Sequence, residues 1–405
     1  MSGRHTHRAD SREHDGFEVR RGPRTALLAA LAAVLVATIV GAALIWPDRE
    51  KSDALQDEVA FTAPGATFVR GVVDDVQSAC PSLNDPGENC GQITATIGEG
   101  EDSTEVTVPV PPEVSEAGLE RGDELRMLRT PATDDQPVRY SYFAIERSSP
   151  LLIMLLVFVV AVVAVARWRG VRALVGLGFA GVAILWFMLP ALVSGESGLL
   201  VGLVGSAAIV FVVLYTTHGF SIRTSAAVAG TLAGIGMTAL IGAVSVAATH
   251  VTGVADHGGG ILQAIAGDLS FQGLLTCAVI VAGLGVLNDV TITQASAVWE
   301  LRGAGPELSR REVFVAATRI GRDHIASTIY TIVFAYAGTA LITLMLIQLY
   351  GLPLTELLAT EEIGQEVVRT LASSTALVLA VPVTTGIAAL TVPGARRAPV
   401  ENEMR

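Results

Sequence analysis

Asp289 is the residue from which a chemical reading of this chain starts. It follows the apolar run Leu274–Leu287 and opens the string Asn288-Asp289-Val290-Thr291-Ile292-Thr293-Gln294-Ala295-Ser296. On a helix, Gly285, Asp289, Thr293 and Ser296 share one face, because positions three and four apart are neighbours. A carboxylate flanked by hydroxyls, with a glycine one turn away and Asn288 beside it, can hold a cation or a proton. Ionisable groups inside a span are costly, so such a residue needs a reason. The plainer reading has the helix leaving the membrane near Leu287, with Asp289 wetted at the surface. Fourteen apolar residues are too few to span, which pushes Asp289 inside the inner leaflet.

A second polar stretch runs Arg319-Ile320-Gly321-Arg322-Asp323-His324 and continues to Ser327 and Thr328. Arg322 or His324 is placed to pair with Asp289 at the cytoplasmic mouth. The plainer reading is a solvated helix start, with Asp323 favoured by the positive end of the helix dipole.

Other residues invite weaker readings. Ala226, Gly230, Gly234, Thr238 and Gly242 recur every fourth position, a stripe suited to close helix contact; Gly198, Gly202 and Ser206 repeat it. Pro382, followed by Thr384, Thr385 and Gly386, is expected to kink or break the last span, freeing carbonyls for a cavity or for neighbouring helices. His250, Asp256 and His257 suggest a metal, but the glycines after them read better as a hinge, and no metal site or cofactor is expected. Gly195-Glu196-Ser197-Gly198 matches the G-x-S-G of intramembrane serine proteases. Such strings arise by chance in Gly/Ser-rich loops, and neither a zinc-protease motif nor a nucleophile elbow is present. The chain is read as not an enzyme, with a Ser197 protease the remotest alternative.

The elements that must position these residues are membrane helices. Charged residues make up 16% of the 405 and hydrophobic ones 51%, with mean hydropathy +0.53, which an ordinary soluble domain does not show. Lys51 is the one lysine, so the body of the chain holds no P-loop lysine. Apolar runs near 20 residues predict eight spans: Thr25–Trp46 as a retained anchor, then about 150–166, 173–189, 199–215, 225–248, 273–293, 327–349 and 373–390. Arg167, Arg169 and Arg172 share one loop, Arg223 lies in a second and Arg302 to Arg322 in a third; the opposite loops hold only Arg369. Both termini are therefore expected in the cytoplasm. The expected parts are a disordered basic tail over 1–24, an anchor over 25–46, an extracytoplasmic domain over 47–149, a seven-helix domain over 150–390 and a tail over 391–405.

Residues 47–149 carry 21 acidic against 8 basic side chains, which argues against nucleic acid as a partner. Period-two runs at 71–76, 93–97, 105–108, 124–128 and 140–145, separated by Gly/Pro/Asn/Asp turns, predict a small all-β barrel or sandwich of five or six strands, OB-like. Cys80 and Cys90 flank an Asn-Asp-Pro-Gly turn and are expected to form a disulfide, worth about 2–3 kcal/mol. Cys277, within a span, reads as a small buried hydrophobe.

The helical half resembles the YibE/F family of bacterial membrane proteins. The resemblance rests on Gly283-Leu284-Gly285-Val286-Leu287-Asn288-Asp289, Trp299-Glu300-Leu301, Gly321-Arg322-Asp323, Ser327-Thr328 and Phe334-Ala335-Tyr336, over roughly 150–390. His324 stands where the family is expected to be apolar. The resemblance implies a multi-pass protein of the bacterial plasma membrane with an outward β domain behind one anchor, and it implies no activity. The first expectation for function is a secondary transporter or exporter of a small solute or cation, with Asp289 as the coupling site. The second is an envelope scaffold whose β domain recruits another envelope protein or a second copy. In both, the lipid bilayer is the surrounding partner.

Overall fold

The computed structural model describes residues 21–58, 65–78, 90–98, 100, 103–133, 136–255, 257–267, 269–351 and 353–395. The chain divides into two compact units, Ala54–Arg167 on the one hand and Met1–Asp53 with Trp168–Arg405 on the other. The first unit therefore runs past the boundary expected at residue 149.

In the first unit all five period-two runs are strands: β1 Thr67–Gln77, β2 Gln92–Ile97, β3 Thr104–Pro109, β4 Glu124–Thr130 and β5 Arg139–Ile145. They form one antiparallel sheet in the order β3-β2-β1-β4-β5, and the edge strands β3 and β5 approach each other, giving a half-barrel. A one-turn helix, α3 Pro112–Ser115, lies between β3 and β4 in sequence. Alternation buries Val73, Ile93, Ala95, Val108, Leu125 and Met127 on the concave side. Gly71 is required there, because a Cβ would meet the Met127 methyl at 2.1 Å. Beyond β5, Glu146 accepts hydrogen bonds from the Ser148 hydroxyl and from Arg126 Nε (2.8 Å for the arginine). These bonds, the serine's first, hold its carboxyl down at about 2. Cys80 lies outside the described residues, so the expected Cys80–Cys90 pairing is not described.

The second unit is helical. Its elements are α1 Arg21–Leu44, the start of α2 Arg49–Glu58, the later part of α4 Ser148–Ala183, α5 Leu189–Val193, α6 Gly198–His218, α7 Ile222–Thr249, α8 His257–Ile265, α9 Phe271–Ala304, α10 Arg310–Thr339, α11 Leu341–Tyr350, α12 Leu354–Leu358 and α13 Glu361–Thr391. A π-helical turn, Ile184–Met188, joins α4 to α5. Among the described residues six helices are long and apolar enough to cross a membrane, or seven if the pair α10 and α11, bent by 66°, counts as one span. This suggests a membrane protein.

Three expectations about the helices are corrected. The loop placed at Arg167–Arg172 is a break inside α4, where Arg167 takes φ 53° and ψ −135°. The seventh span begins at Arg310, so Arg319 and Arg322 lie on α10, and it bends at Ala340 instead of running straight to Leu349. Ser309 and Glu312 form a capping box that fixes this early start. Finally, α13 continues unbroken through Pro382 to Thr391.

The glycine stripes act as expected. A Cβ on Gly230 would meet Thr384 Oγ1 at 2.1 Å, on Gly234 Leu287 at 2.7 Å, and on Gly198 the Gly273 carbonyl at 2.0 Å. These contacts press α7, α9 and α13 together and set α6 against α9. Helix α1 packs into the same core through Leu27 and Leu31.

Candidate functional site

Helix α9 presents two polar faces. The face expected to do chemistry is turned outwards: Gly285, Asp289 and Thr293 are exposed and Ser296 is half-buried. Asp289 is 69% exposed, and His324 of α10 is the group that meets it, with Nε2 3.6 Å from Oδ2. The pairing expected between these two stretches therefore exists, through His324 and not Arg322. Arg322 and Asp323 are exposed on α10 and join no ion pair among the described residues. Thr293 and Ser296 do not converge on the carboxylate into a closed site.

The buried face carries neutral groups. Thr291 Oγ1 lies 2.6 Å from Thr231 Oγ1 of α7, and Gln294 Nε2 donates to the Ala317 carbonyl of α10. Gly321 makes room for that amide, since a Cβ would meet Gln294 Nε2 at 2.0 Å. Thr238 and Ser373 flank Gly283 higher on the same interface. Two buried oxygens here, Asn288 Oδ1 and Thr384 Oγ1, have no hydrogen-bond partner among the described residues. Unpaired polar atoms in a close-packed helix interface cost free energy unless another group or water reaches them.

A polar cavity that the sequence did not reveal lies at the Phe271 end of α9. Its volume is about 420 Å³, and its walls come from the α10–α11 bend (Thr339, Ala340, Thr343), from α9 (Leu274, Leu275, Ala278) and from α13 (Glu362, Gln365, Glu366, Arg369). Glu362, Glu366 and Arg369 follow one another at i, i+4 and i+7 on α13. Arg369 donates to Glu366 at 3.1 Å and stands 6.0 Å over the Tyr336 ring. Glu366 Oε2 and Arg369 Nε remain buried without partners. Glu361 clamps the rim by accepting from Thr252 N, Thr252 Oγ1, Gly253 N and Gln365 Nε2. The missed signal was Thr360-Glu361-Glu362, an N-cap residue and two first-turn acids; it starts α13 twelve residues before the span expected from hydropathy.

Among the described residues the remaining motifs form no site. Ser197 lines a cavity of about 400 Å³ with Glu196, and no histidine stands among the residues lining it. His250 caps α7 in a left-handed conformation, while Asp256 lies outside the described residues. Among the described residues no three His, Cys, Asp or Glu side chains are grouped to hold a metal. Cys277 is a free, buried thiol.

The fold is that of a multi-helix protein with a small separate β unit, and its long apolar helices suggest a membrane protein. The profile of the YibE/F-like protein family matches residues 154–394, more than half of the chain, and the chain belongs to that family. No curated protein and no solved structure matches it.

Proposed function

We propose that the chain is a secondary transporter or exporter of a small solute or ion in the bacterial plasma membrane. The observation that carries this reading is the cavity at the α10–α11 bend, where Glu366 and Arg369 keep unused polar atoms. Broken helices beside a polar cavity are the arrangement in which transporters hold solutes, because backbone freed at the break needs polar surroundings. Asn288 and Thr384, whose buried oxygens have no partner among the described residues, continue a polar line along α9 and α13 towards the other end of the bundle. In this reading the cavity binds the solute, and Asp289–His324 is a separate polar contact at the far end.

The topology belongs to the proposal. Counting the two parts of α4, on either side of Arg167, as separate crossings gives eight spans, with both termini cytoplasmic by the arginine distribution. The cavity then opens outwards and residues 47–149 are extracytoplasmic. The β unit is OB-like: the order β3-β2-β1-β4-β5, near-closure between β3 and β5, and α3 between β3 and β4 support it. In that compartment Cys80 and Cys90 are joined, so unfolding in alkylating reagent without reductant should mark Cys277 alone, and all three cysteines after reduction.

The test is movement of solute. Purified chain in proteoliposomes, with entrapped pyranine and imposed proton and potassium gradients, is challenged with sodium, potassium, magnesium and small zwitterions. Protein-dependent flux for at least one of them is expected. Absence of flux across the whole panel would overturn transport in favour of the scaffold reading. The exposed ring pair Phe68–Phe143, centroids 4.8 Å apart on the β unit, is the surface that reading would use.

A further inference from the structure

Three arginines from three helices meet at the Thr391 end of α13. Arg24 of α1 donates Nε to the Thr391 carbonyl at 2.9 Å, and Arg310 at the start of α10 donates Nη2 to the Val392 carbonyl at 3.3 Å. Arg302, in the last turn of α9, donates Nη1 to the carbonyls of Pro306 and Leu308. It is only 3% exposed. Arg310 stands within electrostatic reach of both other guanidinium groups.

The bonds within the chain do not use up these donors. Arg302 Nε, Arg302 Nη2 and Arg310 Nε are all buried and have no acceptor among the described residues. Glu307 is close enough to be felt by Arg302 but forms no ion pair with any of the three among the described residues. The carbonyl end of α13 offers about half a negative charge against three positive ones. Buried N–H groups on a permanent cation are costly to leave unmade. A small anion rich in acceptor oxygens, able to reach between the helix ends, would satisfy these donors and balance the charge. Guanidinium forks match a phosphate group in all three respects.

We propose that Arg24, Arg302 and Arg310 form a phosphate-binding site at this end of the bundle. The shared chemistry is a phosphate monoanion or diester, and two sources can supply it: the headgroup of an anionic lipid or free phosphate. On the topology proposed above this end lies at the inner leaflet, where anionic headgroups concentrate. The site does not depend on the transport reading, since it lies at the opposite end of α13 from the Glu366 cavity.

The test uses the full chain in a neutral detergent, with lipid adducts counted by native mass spectrometry and unfolding followed thermally. Phosphatidylglycerol, phosphatidylcholine and inorganic phosphate are compared. Phosphatidylglycerol should be retained at least about tenfold more strongly than phosphatidylcholine and should raise Tm. Arg310→Gln and Arg24→Gln should each abolish most of that preference, whereas Arg319→Gln, on an exposed stretch of α10, should keep it. Arg302→Gln removes a buried cap and can fail to fold; the other two variants carry the test without it. If millimolar inorganic phosphate raises Tm and displaces the lipid, free phosphate is a ligand of the same site; if only the lipid binds, the headgroup is. Equal retention of the two lipids with no phosphate effect overturns the proposal. Wild-type retention of phosphatidylglycerol by both Arg310→Gln and Arg24→Gln overturns it as well.

Discussion

The two faces of α9 differ in a way that runs against the chemistry of their side chains. One carries an acid, Asp289, yet it is open and touched by a single histidine. The other carries hydroxyls and amides but no charge as far as Gln294, with Arg302 buried only in the last turn, yet it is sealed against α7, α10 and α13 by glycines. The difference teaches that the charged residue marks where the chain tolerates water or a polar boundary. The neutral polar residues mark where the helices are committed to one another. Asp289 lies about 27 Å along α9 from Phe271 at 1.5 Å per residue, near the far edge of a hydrocarbon core of about 30 Å. A carboxylate can be solvated there without a closed site around it.

Substituting residues in the sealed α7–α9–α13 interface and on the open face of α9 sharpens this contrast, and the largest effect should come from the glycines. Gly230→Leu must displace Thr384 and should cost about 3 kcal/mol or prevent folding, seen as loss of monodisperse protein and a lower Tm. Gly285→Leu, with nothing within 4 Å of its Cβ, should leave Tm unchanged. Equal losses from both would dissolve the distinction. The hydroxyls give the next test. Thr291→Val removes the bond to Thr231, which keeps only the Ala227 carbonyl, and should cost about 1 kcal/mol, while Thr293→Val on the exposed side should be neutral.

A smaller effect belongs to the β unit, where charge is held by local bonds. Glu146 titrates at about 2, below its ordinary 4.5, because Ser148 and then Arg126 donate to it. Its folded-state pKa is depressed, so its contribution is complete above pH 4.5 and fades as the pH falls towards 2. Carbon NMR of the Glu146 carboxyl should place its midpoint near the lower value, and Arg126→Ala should move it upwards. A midpoint in the ordinary range in the wild type would contradict the arrangement.

The sequence revealed these features unevenly, for physical reasons. All five strands were legible, because a sheet buried on one side imposes strict alternation, as in Val69-Gly71-Val73 against Phe68-Arg70-Val72. The long helices were legible from hydropathy alone. Which face of each is buried was not, since a helix among lipid and other helices is apolar all round and its periodicity says little. Hence the spacing does not show that the Asp289 face is open, although it brings the Asp289–His324 pairing within reach. The Glu366–Arg369 cavity was hidden for another reason: residues 361–372 are too polar to read as a span, although Thr360 and two acids announce a helix start. The bend at Ala340 has no proline to mark it. The arginine cluster joins residues 24, 302 and 310, a convergence no local pattern records.

The central claim is that the polar work of this protein is done in the cavity of α13 rather than at Asp289. Flux of whichever panel solute the wild type carries, measured side by side for Glu366→Gln and Asp289→Asn in proteoliposomes, tests it most directly. Glu366→Gln should abolish flux at unchanged Tm, and Asp289→Asn should retain a substantial part of it. Wild-type flux in Glu366→Gln together with none in Asp289→Asn would contradict the account.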